Sequence, residues 1–199
     1  MAEELELKAL VPDPAALQSR LAAAGAGSGF RGFITDRRYD REGTLAARNE
    51  VLRVRNFRPL QGIPVTEIAW KGPVSRSPEG YKRRTELTFE ISSDPHDPGL
   101  LLEALGYRVV HTIDRRVETW LLGGAALRLE WYPRMDVLLE VEGTPHAIEA
   151  AIPATGLPRQ AFTADPLIEF VRRYEPRTGR SAALALIDLC GEDPEWGSP

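Results

Sequence analysis

In six stretches of this chain charged residues recur at every second position, and that period limits what the chain can fold into. Successive side chains of a β-strand point to opposite faces, so each stretch reads as a strand with one charged and one apolar face. At the start, Glu4, Glu6 and Lys8 alternate with Leu5, Leu7 and Ala9. In 50–58, Val51, Arg53 and Arg55 oppose Leu52, Val54 and Asn56, and in 63–71, Glu67, Ala69 and Lys71 oppose Thr66, Ile68 and Trp70. The clearest alternation runs over 81–92, where Lys82, Arg84, Glu86, Thr88 and Glu90 oppose Thr85, Leu87, Phe89 and Ile91. A hairpin over 107–122 and 125–132, turned by Gly123-Gly124, carries Asp114, Arg116 and Glu118 on one arm and Arg128 and Glu130 on the other. The last strand, 136–142, sets Glu140 and Glu142 against Leu139 and Val141.

Between these strands lie a further strand over 30–40 and helical patterns over 13–24, 98–105, 145–154, 166–174 and 181–189. The Ser/Pro-rich segment 73–80 reads as an exposed loop, and the residues after 189 read as a disordered tail. Period two does not say which face is inside. A sandwich would bury the apolar faces against each other and leave the helices, each with its own apolar stripe, without a partner. A barrel with a charged lumen leaves the apolar faces outside for the helices to cover. The expected fold is therefore α+β: an eight-stranded antiparallel barrel with a polar lumen and helices packed outside. The expected domain is 1–175, with 176–199 as a C-terminal helix and tail.

A net charge of −4 over 199 residues argues against a general nucleic-acid or membrane-surface binder, though a local basic site remains possible inside an acidic protein. No run approaches the roughly 18 apolar residues of a membrane span. One cysteine, Cys190, allows no internal disulfide, and the three histidines lack metal-ligand spacing. The expectation is a cytoplasmic protein, monomer or homodimer. Of its 25 lysines and arginines only Lys8, Lys71 and Lys82 are lysine.

Taken in order, Glu4-x-Glu6-x-Lys8, Leu52-Arg53-Val54-Arg55, Trp70-Lys71-Gly72-Pro73, Arg84-x-Glu86, Arg116 and Glu140-x-Glu142 resemble the CYTH family, the triphosphate tunnel metalloenzymes. Asp36-x-x-Tyr39-Asp40 resembles that family's second strand, and the resemblance spans roughly residues 2–175. It implies a barrel holding Mg²⁺ or Mn²⁺ and a small-molecule triphosphate, in a family that includes class IV adenylyl cyclases, thiamine triphosphatases and inorganic triphosphatases.

The chemistry is consistent with that pattern. Phosphoryl transfer is mostly positioning and charge neutralisation, which needs arginine forks, lysine point charges and metal-holding carboxylates. Lys8, Arg53, Arg55, Lys71, Arg84 and Arg116 are the expected phosphate ligands. Glu4, Glu6, Glu130, Glu140 and Glu142 are the expected metal ligands, and Lys8, Arg53, Arg55 and Glu86 the expected catalytic set, with Glu86 orienting its neighbouring cations. Where the family has Lys-x-Arg in the hairpin, this chain has Asp114-Arg115-Arg116, which removes one lysine unless Arg115 takes its place through a local bulge. Three functions follow in order: a metal-dependent triphosphate hydrolase, a cyclase making cyclic AMP and pyrophosphate from ATP, and a non-catalytic triphosphate or polyphosphate binder.

Overall fold

The computed structural model describes residues 2–78, 80–91 and 97–196, with side chains from residue 5 onward. Strands β1 (Ala2–Leu10), β2 (Gly27–Asp40), β3 (Val51–Pro59), β4 (Val65–Lys71), β5 (Ser75–Arg76), β6 (Lys82–Ile91), β7 (Arg108–Leu122), β8 (Ala125–Trp131) and β9 (Leu138–Glu142) form one antiparallel sheet. Its order is β1-β9-β8-β7-β2-β3-β4-β6, and β1 then pairs with β6 from Ala2 opposite Glu86 to Glu6 opposite Lys82. That pairing closes an eight-stranded barrel. β5 lies outside the ring, paired with β6 through Ser75 and Arg76, so the segment expected to be only loop contributes a short ninth strand.

The apolar faces point outward, as the helices required. Helix α1 (Pro14–Ala23) begins with Asp13 accepting a hydrogen bond from the Ala16 amide at 2.9 Å and Pro14 in its first turn. Helix α4 (Pro145–Thr155) is capped by Thr144 and ends at Gly156, whose φ of 73° is left-handed. Leu17 and Leu21 of α1 and Ala147, Ile148, Ala151 and Ile152 of α4 bury against Leu7, Ala9, Leu127, Leu129, Leu139 and Val141 on the barrel's outside. Each of the larger side chains contributes about 1.5–3 kcal/mol by leaving water. The cover is one-sided, however. On β6, Phe89 stays 65% exposed and Leu87 39%, so this outer face of β6 is left largely uncovered among the described residues.

A second apolar cluster sits where helix α5 (Leu167–Thr178) meets the barrel. Its Phe170 and Tyr174 pack with Ile113, Tyr132, Met135 and Leu138. Leu138 shares its strand face with Glu140, so this end of the lumen turns from charged to apolar. Helix α2 (Thr44–Ala47) is a single turn after β2, and α3 (Pro98–Ala104) is short as well: Gly99 lies so close to the Tyr39 hydroxyl that an added Cβ would meet it at 2.2 Å.

The C-terminal stretch departs from expectation. Only Leu186–Leu189 is helical, as a single 3₁₀ turn, and Ala183 bridges to Arg134 instead. Asp114 is the reason: its amide donates to the Leu184 carbonyl at 2.8 Å and its carboxylate accepts from the Leu186 amide at 2.9 Å. These bonds hold the backbone of 184–186 against β7. The tail is fastened as well, with the Glu195 amide bonded to the Pro133 carbonyl at 2.8 Å and Arg180 donating to Glu195 at 2.7 Å. Among the described residues no helix is long and apolar enough to cross a membrane.

Candidate functional site

One wall of the lumen comes from β1, β8 and β9. The ladder places Lys8 opposite Glu140 and Glu6 opposite Glu142, and Arg128 opposite Glu140 from the other side. Opposite residues share a face, so these charges meet inside. Lys8 donates to Glu6 at 2.8 Å and to Glu140 Oε2, and Lys82 on β6 also donates to Glu6. Arg128 donates to Glu140 Oε1 at 2.6 Å and lies 3.8 Å from Glu142. Burial alone would lower the Lys8 pKa, but Glu140, Glu6 and Glu130 outweigh it and raise it. The Glu140 carboxyl, whose burial acts the opposite way, is held well below its usual range by Lys8 and Arg128.

The other wall comes from β2, β3 and β7 and has a single acid at its centre. Asp36 accepts from Arg55 Nε at 2.6 Å and Nη2 at 2.8 Å, a two-pronged pair, and from Arg115 Nη2 at 2.5 Å. Arg53 stands 3.9 Å away. Burial would raise the Asp36 pKa, yet Arg55 and Arg115 hold it far below the carboxylate range. Burial and the neighbouring Arg55 push Arg53 down to about 10, still charged at neutral pH. Arg115 also donates to Glu130 at 2.5 Å, and the Tyr132 hydroxyl donates to the same carboxylate at 2.6 Å. Glu86 on β6 links β3 and β4, accepting from Arg53 at 3.4 Å and pairing with Lys71 at 2.8 Å. Arg84 is aimed by two backbone carbonyls, Gly72 at 2.7 Å and Asn49 at 2.8 Å.

Between the walls lies a cavity of about 340 Å³, at the lower end of the roughly 300–1,000 Å³ typical of ligand pockets. Of the expected residues, Glu6, Lys8, Arg53, Arg55, Lys71, Arg84, Glu130 and Glu140 line it. Glu86 stands behind Arg53 and Lys71, and Glu142 sits at the rim with its side chain 35% exposed. The Glu4 backbone is opposite Arg84, while its side chain lies outside the described residues. Arg116 is a correction. It points outward, pairs with Glu118 at 2.8 Å and lies over the Trp131 ring at 4.7 Å. Arg115 occupies the lumen in its stead. Asp114 is outside too, bonded to Thr35 at 2.7 Å, so it takes no cation's place in the cavity.

Asp36, Arg38, Lys82, His111, Arg115, Arg128 and Tyr132 also line the cavity, beyond the expected set. Lys82 and Arg128 had a visible signal, since each shares strand parity with an expected residue. With Lys82, all three lysines of the chain face the cavity. Among the quoted second-strand residues only Asp36 is inside; Tyr39 packs outward with Leu102, and Asp40 caps the turn after β2 by accepting from the Arg41, Leu45 and Ala46 amides.

The donor chemistry suits Mg²⁺ or Mn²⁺ in one specific way. Among the described residues no three carboxylates converge on a point, so an all-protein cage is not formed. Glu6, Glu140 and Glu142 are nonetheless adjacent hard oxygen donors on paired strands. A divalent ion that takes one or two carboxylates and completes its shell with water and phosphate oxygens fits such a set.

No protein-family model and no curated protein matches the chain by sequence. Solved structures do match. The PH1819 protein of Pyrococcus horikoshii is 21% identical, with 85% of this chain and 98% of that one covered at a TM-score of 0.68. A proposed adenylate cyclase of Vibrio parahaemolyticus is 16% identical over 85% and 97%, TM-score 0.69. The likeness is one of fold. A third match, at 18% identity over 92% and 99% with TM-score 0.58, is HpAC1 of Hippeastrum, a proposed adenylyl cyclase described as having a dominant triphosphatase activity. The barrel that the CYTH resemblance implied is thus the barrel of solved structures described as cyclase and triphosphatase.

Proposed function

We propose that this chain hydrolyses a triphosphate with the help of a divalent metal ion. The observation that carries this reading is the division of one small cavity into two walls, one with Glu6 and Glu140 beside Glu142 and one that gathers Arg38, Arg53, Arg55 and Arg115 on the strands that carry Asp36. A triphosphate bears about four negative charges at neutral pH, and catalysis of its cleavage consists largely of neutralising and orienting those charges. Arg53, Arg55, Arg84, Arg115, Lys71 and Lys8 would bind its oxygens. Glu6, Glu140 and Glu142 would hold the metal, which when bound neutralises charge on the phosphate oxygens. Glu86, bonded to both Lys71 and Arg53, would fix the direction of those two donors.

Hydrolysis is favoured over cyclisation because it asks less of the cavity. A cyclase must hold a base and a ribose so that the 3′ oxygen lies in line with the α-phosphorus. Here the non-charged lining is mainly aliphatic, from Val51, Val74, Ile113, Leu167, Ile168 and Leu184, and Tyr132, the one phenol ring among the described lining residues, is tied to Glu130. The likeness to HpAC1 points the same way. The test is incubation with ATP and, separately, with inorganic triphosphate, each with Mn²⁺, with products identified by phosphorus NMR. Pyrophosphate and phosphate from inorganic triphosphate are expected. Cyclic AMP as the main product from ATP, with inorganic triphosphate left intact, would reverse the assignment.

A further inference from the structure

Arg38 differs from the other cations of the lumen, and its place in the ladder explains the difference. On β2 it stands between His111 of β7 and Arg53 of β3, so neither cross-strand neighbour is a carboxylate. The next acid along its own strand face, Asp36, is already bonded to Arg55 and Arg115. Arg38 lines the cavity, yet no ion pair within 4 Å reaches it among the described residues, and its Nε is buried without a hydrogen-bond partner. It is also close enough to Arg84 and Arg115 to feel both as repulsive, and burial with those two pushes its pKa down despite Asp36.

This is not an isolated orphan. Four buried side-chain nitrogen atoms lack a partner among the described residues, and three of them are the Nε atoms of Arg38, Arg53 and Arg115 in this one cavity. Buried donors are nearly always satisfied, and guanidiniums are seldom held together without an anion. A group with several acceptor oxygens and negative charge would answer all three at once.

We propose that Arg38 is a substrate-binding residue of this cavity, a guanidinium left without a counter-ion so that a phosphate group supplies it, alongside Arg53 and Arg115. The inference rests on the triphosphate reading above, and it adds a residue that the sequence motifs did not single out. It makes two opposite-signed demands. A half-buried guanidinium with a buried, unpartnered Nε costs stability in the free protein, so its removal should not lower the melting temperature. The same removal should weaken anion binding, because a charge-assisted contact to phosphate is lost.

The test compares wild type, Arg38→Met and Arg38→Lys by calorimetric titration with inorganic triphosphate, in EDTA and in Mg²⁺, and by thermal melting without ligand. Arg38→Met should melt at or above the wild-type temperature and bind about 10- to 100-fold more weakly. Arg38→Lys should fall between, keeping the charge and losing the planar fork. Binding of the Met variant within twofold of wild type overturns the proposal and leaves the triphosphate reading standing. A Met variant that melts several degrees lower also overturns it, by making Arg38 a structural residue. Wild type that binds no triphosphate in either buffer sinks the underlying reading instead.

Discussion

The two walls of the lumen are built alike and charged differently. On the wall of β1, β8 and β9, charges alternate across the ladder: Glu6, Lys8, Glu140 and Arg128 each find an opposite charge on a neighbouring strand. On the wall of β2, β3 and β7, Arg38 faces Arg53 and His111 across the ladder, and Asp36 is the wall's own carboxylate, serving Arg55 and Arg115 with Arg53 nearby, while Glu130 and Glu86 reach Arg115 and Arg53 from β8 and β6. The first wall is close to self-satisfied. The second carries surplus positive charge. On the proposed reading this contrast is a division of labour, in which the first wall would trade its lysine and arginine partners for a metal ion and the second would take the phosphates on its surplus guanidiniums.

The largest expected effect of breaking this contrast is at Asp36. Asp36→Ala leaves Arg55 and Arg115 buried without their shared anion, and disruption of a buried pair costs about 3–5 kcal/mol. Denaturant unfolding should register that loss. Added inorganic triphosphate should recover more of it in the variant than it adds to wild type, because the anion stands in for the missing carboxylate. Equal stabilisation of both proteins would mean that the arginine wall is not where phosphate binds.

Next is the acidic wall. Glu142→Gln retains shape and removes a charge at the rim, where Arg128 lies 3.8 Å away. Mn²⁺ affinity should drop by about 10- to 100-fold, the scale set by loss of a metal-site partner, while triphosphate binding in EDTA changes little. Manganese paramagnetic resonance measures the first and calorimetry the second. A variant that loses triphosphate binding in EDTA but keeps Mn²⁺ would exchange the roles of the two walls.

A smaller effect is expected at His111, beside Arg38. Burial and then Arg38 lower its pKa below the usual value near 6.5. Between its folded and unfolded pKa values the unfolded chain binds the extra proton, so stability rises with pH through that window and falls as pH drops below about 6.5. His111→Gln should flatten the stability profile over that range. If Arg38→Met alone left the profile unchanged, burial would account for the whole shift.

Much of this site was legible because strand parity is strict. Once Glu6 and Arg53 face inward, Lys8 and Arg55 follow from position alone, and the pairings of Glu6 with Lys82 and of Glu140 with Arg128 then bring in Lys82, Arg84, Arg128 and Glu130. Arg116 was misplaced for a physical reason: Asp114, Arg116 and Glu118 alternate as cleanly as any lumen row, and charge period cannot tell a polar face against solvent from one against a cavity. The hairpin held the answer. A two-residue turn at Gly123-Gly124 pairs Leu122 with Ala125 and hence Val117 with Glu130, and paired residues share a face, so Glu130 inside puts Arg115 inside and Arg116 out. The docking of 184–186 on β7 and the anchoring of the tail depended on Asp114 and Pro133, far away in sequence, and local periodicity carries no trace of such contacts.

The smallest effect belongs to Arg116, and it sharpens the comparison of inside with outside on one strand. Arg116 is about a third exposed, and its contacts are a surface pair with Glu118 and the Trp131 ring. Such a pair and such a ring contact are each worth no more than about 1 kcal/mol at exposed sites. Arg116→Ala should therefore lower stability by at most about 1 kcal/mol, with triphosphate affinity within twofold of wild type. Arg115→Ala, one residue away, removes a buried guanidinium shared by Asp36 and Glu130, and should cost several-fold more stability and most of the binding. Parallel unfolding and titration of the two variants decides the matter. Comparable losses of binding at both positions would mean that β7 turns its other face to the substrate, and the register that puts Arg115 in the lumen would be wrong.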